Sequence, residues 1–89
     1  MKAIITVVGP DRVGIIAEVG TMLANLHISV VEISQTIMQN TFTMIMLVEW
    51  TPGAPEFDAV QTRIAEKGSQ MGLSIRIQRQ DIFTAMHTI

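Results

Sequence analysis

Cysteine is absent from this chain of 89 residues, which excludes disulfides, thiolate zinc sites and cysteine nucleophiles. Tyrosine is absent too, and the aromatic set is three phenylalanines and one tryptophan. No basic run occurs: Lys2, Arg12, Arg63, Lys67, Arg76 and Arg79 are scattered, and the formal net charge is −2. The concentrated basic face that phosphate backbones require is missing, so nucleic acid is not expected as a partner. No apolar run approaches the roughly 18 residues of a membrane span. The turn after residues 1–6 comes too early for a signal peptide. A cytoplasmic protein without a membrane partner is expected.

What is present is apolar: 48% of residues are hydrophobic and only 16% charged, far from a disordered composition. The length fits a single domain over residues 1–89, with a core at 2–80 and a tail at 81–89. A domain this small buries only roughly 60–65% of its unfolded surface. Some of its apolar side chains are therefore expected to face another subunit.

Residues 2–8 are β-branched and nearly continuous in apolar character, which predicts a central strand buried on both faces. A helix is predicted from about Arg12 to Leu26, with Ile16, Val19, Leu23 and Leu26 as its core stripe. Gly20 inside it costs about 1 kcal/mol relative to alanine, which close packing against a sheet would explain. Residues 27–38 predict a long strand, with Val31, Ile33 and Ile37 on one face and Glu32, Ser34 and Thr36 on the other. Gln39-Asn40 fits a two-residue hairpin turn, although it lacks the usual glycine.

The return strand, residues 41–50, is apolar on both faces: Phe42, Met44, Met46, Val48 and Trp50 on one, Ile45 and Leu47 on the other. Its second face is expected to meet another subunit. Thr51-Pro52-Gly53-Ala54-Pro55 breaks the chain. A second helix follows from Pro55 or Glu56 to Met71, with Phe57, Val60, Ile64, Gly68 and Met71 as its stripe and Gly72 ending it. Residues 73–80 alternate as an edge strand, with Leu73, Ile75 and Ile77 inward and Ser74, Arg76 and Gln78 outward. In the tail, Asp81 suits the cap of a short helix carrying Ile82, Phe83, Met86 and Ile89.

The order β-α-β-β-α-β defines an α+β, ferredoxin-like sandwich with a four-stranded antiparallel sheet, plus the short C-terminal helix. The right-handed crossover rule places the first and third strands in the centre.

The chemistry concentrates at Val7-Val8-Gly9-Pro10-Asp11-Arg12-Val13-Gly14-Ile15-Ile16, an apolar strand running through a turn into a helix. Asp11 suits the N-cap, and Gly14 then falls within the first helical turn. A helix start carries free N–H donors and partial positive charge, so it suits an anion. Read without its surroundings, the stretch fits a capped turn equally well. No spacing among His27, His87, Asp11, Glu32 and the hydroxyl residues builds a catalytic set, and no cofactor motif is visible; a non-enzyme is expected. His27 and His87 with Asp11 or Glu32 are a weakly patterned metal set, lacking HxxH spacing. At a helix C-terminus, His27 also suits the dipole.

The run Ile5-Thr6-Val7-Val8-Gly9-Pro10-Asp11-Arg12-Val13-Gly14-Ile15-Ile16-Ala17, followed by Leu23-Ala24-Asn25-Leu26-His27-Ile28-Ser29-Val30, resembles an ACT domain. Its "GPDRxGI" opening resembles the group containing glycine-cleavage repressor-like proteins. The ending Asp81-Ile82-Phe83-Thr84-Ala85-Met86-His87 is similar to the tail of small stand-alone ACT proteins. The resemblance implies a homodimeric regulatory module. It implies a small ligand, an amino acid or related metabolite, at the subunit interface, and a regulated protein partner. Carried over by position, Asp11, Val13, Gly14 and Ile15 line one side of that site and Asn25, His27 and Ile28 the other. Family members often carry glycine in an N-G-I segment where this chain has Leu26-His27, which makes that wall more polar. Two other readings stand beside it: a ligand-free protein-interaction module, and a metal-dependent site using His27.

Overall fold

A computed structural model describes residues 1–10 and 13–80. Strand β1 spans Lys2–Pro10, helix α1 Ile15–Asn25, strand β2 Ile28–Met38 and strand β3 Thr41–Trp50. Helix α2 spans Phe57–Met71 and strand β4 Ser74–Arg79. The sheet is four-stranded and antiparallel, in the order β2-β3-β1-β4, so the crossover rule placed the strands correctly. The expected cap at Asp81 and the tail helix lie outside the described residues.

The core sits between one sheet face and the two helices. Ala3, Ile5 and Val7 of β1 meet Met44, Met46 and Val48 of β3, Ile75 and Ile77 of β4, and Ile15, Val19, Leu23, Val60 and Ile64 from the helices. At roughly 1.5–3 kcal/mol per fully buried large aliphatic side chain, this layer is the main source of stability. No buried polar side chain dilutes it among the described residues. Alternation along β4 follows the pattern read from the sequence, and Gly72 ends α2 at φ 71.

Several expectations need correction. β1 is not buried on both faces: Val8, on the face away from the helices, is 38% exposed. α1 starts at Ile15, with Gly14 rather than Asp11 as its N-cap. Gly14 lies at φ 89, outside right-handed helical space, so the helix begins only after it. The later start turns the stripe, so Ile15 is buried and Ile16 is 40% exposed. Gly20 packs against nothing: a Cβ there would find open space.

β2 begins at Ile28, because His27 stands at φ 59 and cannot join the ladder. A bulge between Val30 and Glu32 makes Val31 an extra residue. Val30, opposite Val48, therefore shares the helix-side face with Ile33 and Ile37. The hairpin turn holds Gln39 and Asn40 at φ 52 and 66, the left-handed pair that a tight two-residue turn requires.

Candidate functional site

The start of α1 is open. Gly14 provides no side-chain cap, and the first helical bond runs from the Glu18 N–H to the Gly14 carbonyl at 2.9 Å. The N–H groups of Ile15, Ile16 and Ala17 lie ahead of that bond, where an α-helix has no internal acceptors to offer them. The residues of this first turn border a cavity of about 230 Å³ lined by Gly14, Ile15, Ile16, Ala17, Gln35, Ile37 and Phe42. The first turn of α1, the positive end of its dipole, forms one wall, Gln35 another, and Ile37 with Phe42 a third that is apolar. That chemistry suits a small molecule with an anionic end and an apolar body. Val13, 99% exposed, stands just before it.

The other end of α1 is built differently. Leu26 N–H is shared between the Met22 and Leu23 carbonyls at 3.1 Å, and His27 N–H donates to the Ala24 carbonyl at 3.1 Å. The His27 carbonyl accepts from both the backbone N–H and the hydroxyl of Thr51. These bonds hold the chain in the left-handed turn that glycine adopts most cheaply. The exposed imidazole projects beside Gly53. Ile28 is 4% exposed and belongs to the core.

Within one chain the two walls read from the sequence do not meet. Gly14 and Ile15 stand at one end of α1 and His27 at the other, separated by a helix of 11 residues, roughly 16 Å. Asn25 faces elsewhere, into a groove of about 700 Å³ between the helices shared with Thr21, Arg63, Lys67 and Gln70. That groove is larger, but its charged side chains, Glu18, Arg63, Glu66 and Lys67, carry both signs. The smaller cavity has the more selective chemistry. Asp11 lies outside the described residues.

Sequence reasoning missed Ile16, Ala17, Gln35, Ile37 and Phe42 as cavity residues. One signal was available: a strand of 11 residues rises about 36 Å, more than twice the length of a helix of 11 residues, so half of β2 is left without cover. Among the described residues no group of three or more His, Cys, Asp or Glu side chains is placed to hold a metal. His87 lies outside them. No helix among them is long and apolar enough to cross a membrane.

The sequence matches the ACT domain family over residues 2–78. A "UPF0237 protein" of Clostridium acetobutylicum is 52% identical over 89 residues, covering all of both chains. The structure of an ACT domain protein from Streptococcus pneumoniae superposes with a TM-score of 0.82 at 35% identity, covering 100% of this chain and 97% of that one. A chain named as a candidate glycine cleavage system transcriptional repressor superposes at 0.78 with 26% identity, covering 89% of this chain and 45% of that one.

Proposed function

This chain belongs to the ACT domain family, whose members are regulatory modules that bind small ligands, and on that premise we propose a metabolite-sensing homodimer. Its ligand is an amino acid or a related carboxylate-bearing metabolite, held where two copies meet along α1 and the β2 edge. The observation that carries this reading is the uncapped start of α1 opening into a cavity of amino-acid size. The helix N–H donors take the carboxylate, and Ile37 and Phe42 take the apolar part.

The separation of the two walls supports a site shared between copies. A twofold axis passing beside β2 sets the α1 helices of the two copies antiparallel. Gly14 of one copy then approaches His27 of the other. With the axis near Ile33, Ile37 of one copy stands beside Ser29 of the other, one position past Ile28 and two past His27. Val13, Gly14 and Ile15 form one wall and His27 the facing one. Asn25 joins only by turning out of the interhelical groove, and Ile28 holds the wall from the core. Asp11, with its carboxylate, is assigned the ligand's ammonium group. The β2 edge fits this use: ten of its eleven residues are exposed, Ile33 and Ile37 among them. A ligand bound across this edge stabilises the pairing by mass action, and a regulated protein partner reads the change.

The test is a thermal-shift screen of amino acids, folates and divalent metals on the wild-type protein and Gly14→Val. A ligand at one hundred times its Kd adds about 2.7 kcal/mol, which in a domain this size raises Tm by roughly 10–20 °C. Gly14→Val forces a branched side chain into left-handed space and the cavity rim; it is expected to abolish the shift while circular dichroism stays native. A shift that survives Gly14→Val removes the pocket assignment. Silence from every amino acid and carboxylate metabolite removes the ligand reading.

A further inference from the structure

The face of the sheet turned away from the helices carries a second pattern. Along β1 it shows Lys2, Ile4, Thr6 and Val8, which stand opposite Glu49, Leu47, Ile45 and Thr43 of β3. β4 adds Arg76 beside Thr6, and β2 adds Glu32 beside Leu47. The middle is apolar: Val8 and Ile45 are 38% and 41% exposed, and Ile4 is buried yet stands outside the core cluster. Charge divides this face lengthwise. Its β1–β4 half holds Lys2 and Arg76, and its β3–β2 half holds Glu49 and Glu32.

We propose that this outer face pairs with the outer face of a second copy, about a twofold axis that runs parallel to the strands between β1 and β3. The rotation sets β1 of one copy over β3 of the other and β4 over β2. Lys2 then lies over Glu49, Ile4 over Leu47 and Thr6 over Ile45. Arg76 comes within two residues of Glu32, about 7 Å along the strand, which an arginine side chain spans. The alternative twofold, across the strands, sets Lys2 near Val8 or Pro10 and leaves each charged edge over its own kind. Charge therefore selects both the occupant, a second copy, and the axis. Four strands of this length present a footprint of roughly 600 Å² per chain, near the roughly 800 Å² per partner of a standard interface. Two aligned sheets pack about 10 Å apart with their strands rotated by about 30°.

This pairing does not depend on the ligand site, so it is measured by light scattering and sedimentation equilibrium on the protein without added metabolite. Without metabolite the β2-edge pairing lacks the ligand that stabilises it, so the wild type is expected as a two-chain particle held by its outer faces at micromolar concentration, and Ile45→Lys as a single folded chain. An unchanged mass in Ile45→Lys overturns the proposal. The axis is tested by Lys2→Glu and Glu49→Lys. Each alone sets like charges face to face twice by symmetry and is expected to weaken pairing about tenfold; together they restore it. Single variants that pair like the wild type overturn the axis. Failure of the ligand reading appears in the thermal-shift screen and leaves these masses untouched.

Discussion

The two flanks of the sheet are made of the same parts, an edge strand and a helix, and they end up different. On the β4 flank, α2 has 15 residues, roughly 22 Å, over a strand of six residues, roughly 20 Å. Helix and strand match, and Leu73, Ile75 and Ile77 are all at least 92% buried. On the β2 flank, α1 is less than half as long as its strand, and Ile33 and Ile37, on the helix side, remain 44% and 58% exposed. The closed flank gives stability, whereas the open one supplies exposed apolar surface and a cavity beside the start of α1. The strand length left over is what leaves this flank open.

The sharpest way to break this comparison is one substitution made on both flanks. Ile77→Lys puts a charge into a site that is 4% exposed. The expected cost exceeds 4 kcal/mol, enough to unfold a domain of this size. Ile37→Lys changes a residue that is 58% exposed, and stability should stay within about 0.5 kcal/mol. The ligand response should nevertheless vanish, because Ile37 lines the cavity. Urea unfolding checks the first pair of values and the thermal-shift assay the second. A strongly destabilised Ile37→Lys would mean that the β2 flank is closed after all.

A smaller contrast comes from two helical glycines. A Cβ on Gly68 would lie 2.9 Å from the Leu73 carbonyl oxygen and 3.1 Å from Ile75 Cγ1. Gly68→Ala gains about 1 kcal/mol of helix propensity but crowds backbone against backbone at about 2–3 kcal/mol. A net loss of about 1–2 kcal/mol is expected. Gly20 on α1 has nothing within 4 Å of such a Cβ, so Gly20→Ala should gain about 1 kcal/mol. Melting temperatures that move in opposite directions support the tight and loose flanks; two shifts of the same sign would contradict them.

The sequence made the closed flank legible and only half of the open one. β4 alternates cleanly because one of its faces is covered throughout, and Gly72 marks the end of α2 because a left-handed terminus favours that residue. Strand order followed from connection rules that do not depend on side-chain detail. The start of α1 was harder to read. Asp11 is the better cap by residue type, but Gly14 at φ 89 decides where the helix begins, and Ile15 replaces Ile16 in the core as a result. The bulge at Val31 left no mark in composition, since valine suits either face. Of the residues that line the cavity, Gly14 was named from the strand–turn–helix pattern and Ile15 from the ACT resemblance. Gln35, Ile37 and Phe42 were not, because their place depends on how far the hairpin outruns α1.

The smallest effect expected tests why a histidine stands between the flanks' two connections, at the exit of α1. Left-handed backbone costs a non-glycine residue roughly 1 kcal/mol, and glycine loses roughly half to all of that gain through its freer unfolded chain. His27→Gly should therefore raise stability by no more than about 0.5 kcal/mol, a shift of a few degrees in Tm. If the imidazole forms the wall facing Gly14 of a second copy, the same variant should weaken ligand binding severalfold while the fold improves. Gain in stability with loss of binding is the signature of a strained residue retained for its side chain. Isothermal titration of wild type and variant separates the two effects. A variant that is more stable and binds equally well would reduce His27 to a costly helix terminus and leave the ligand to the open end of α1 alone.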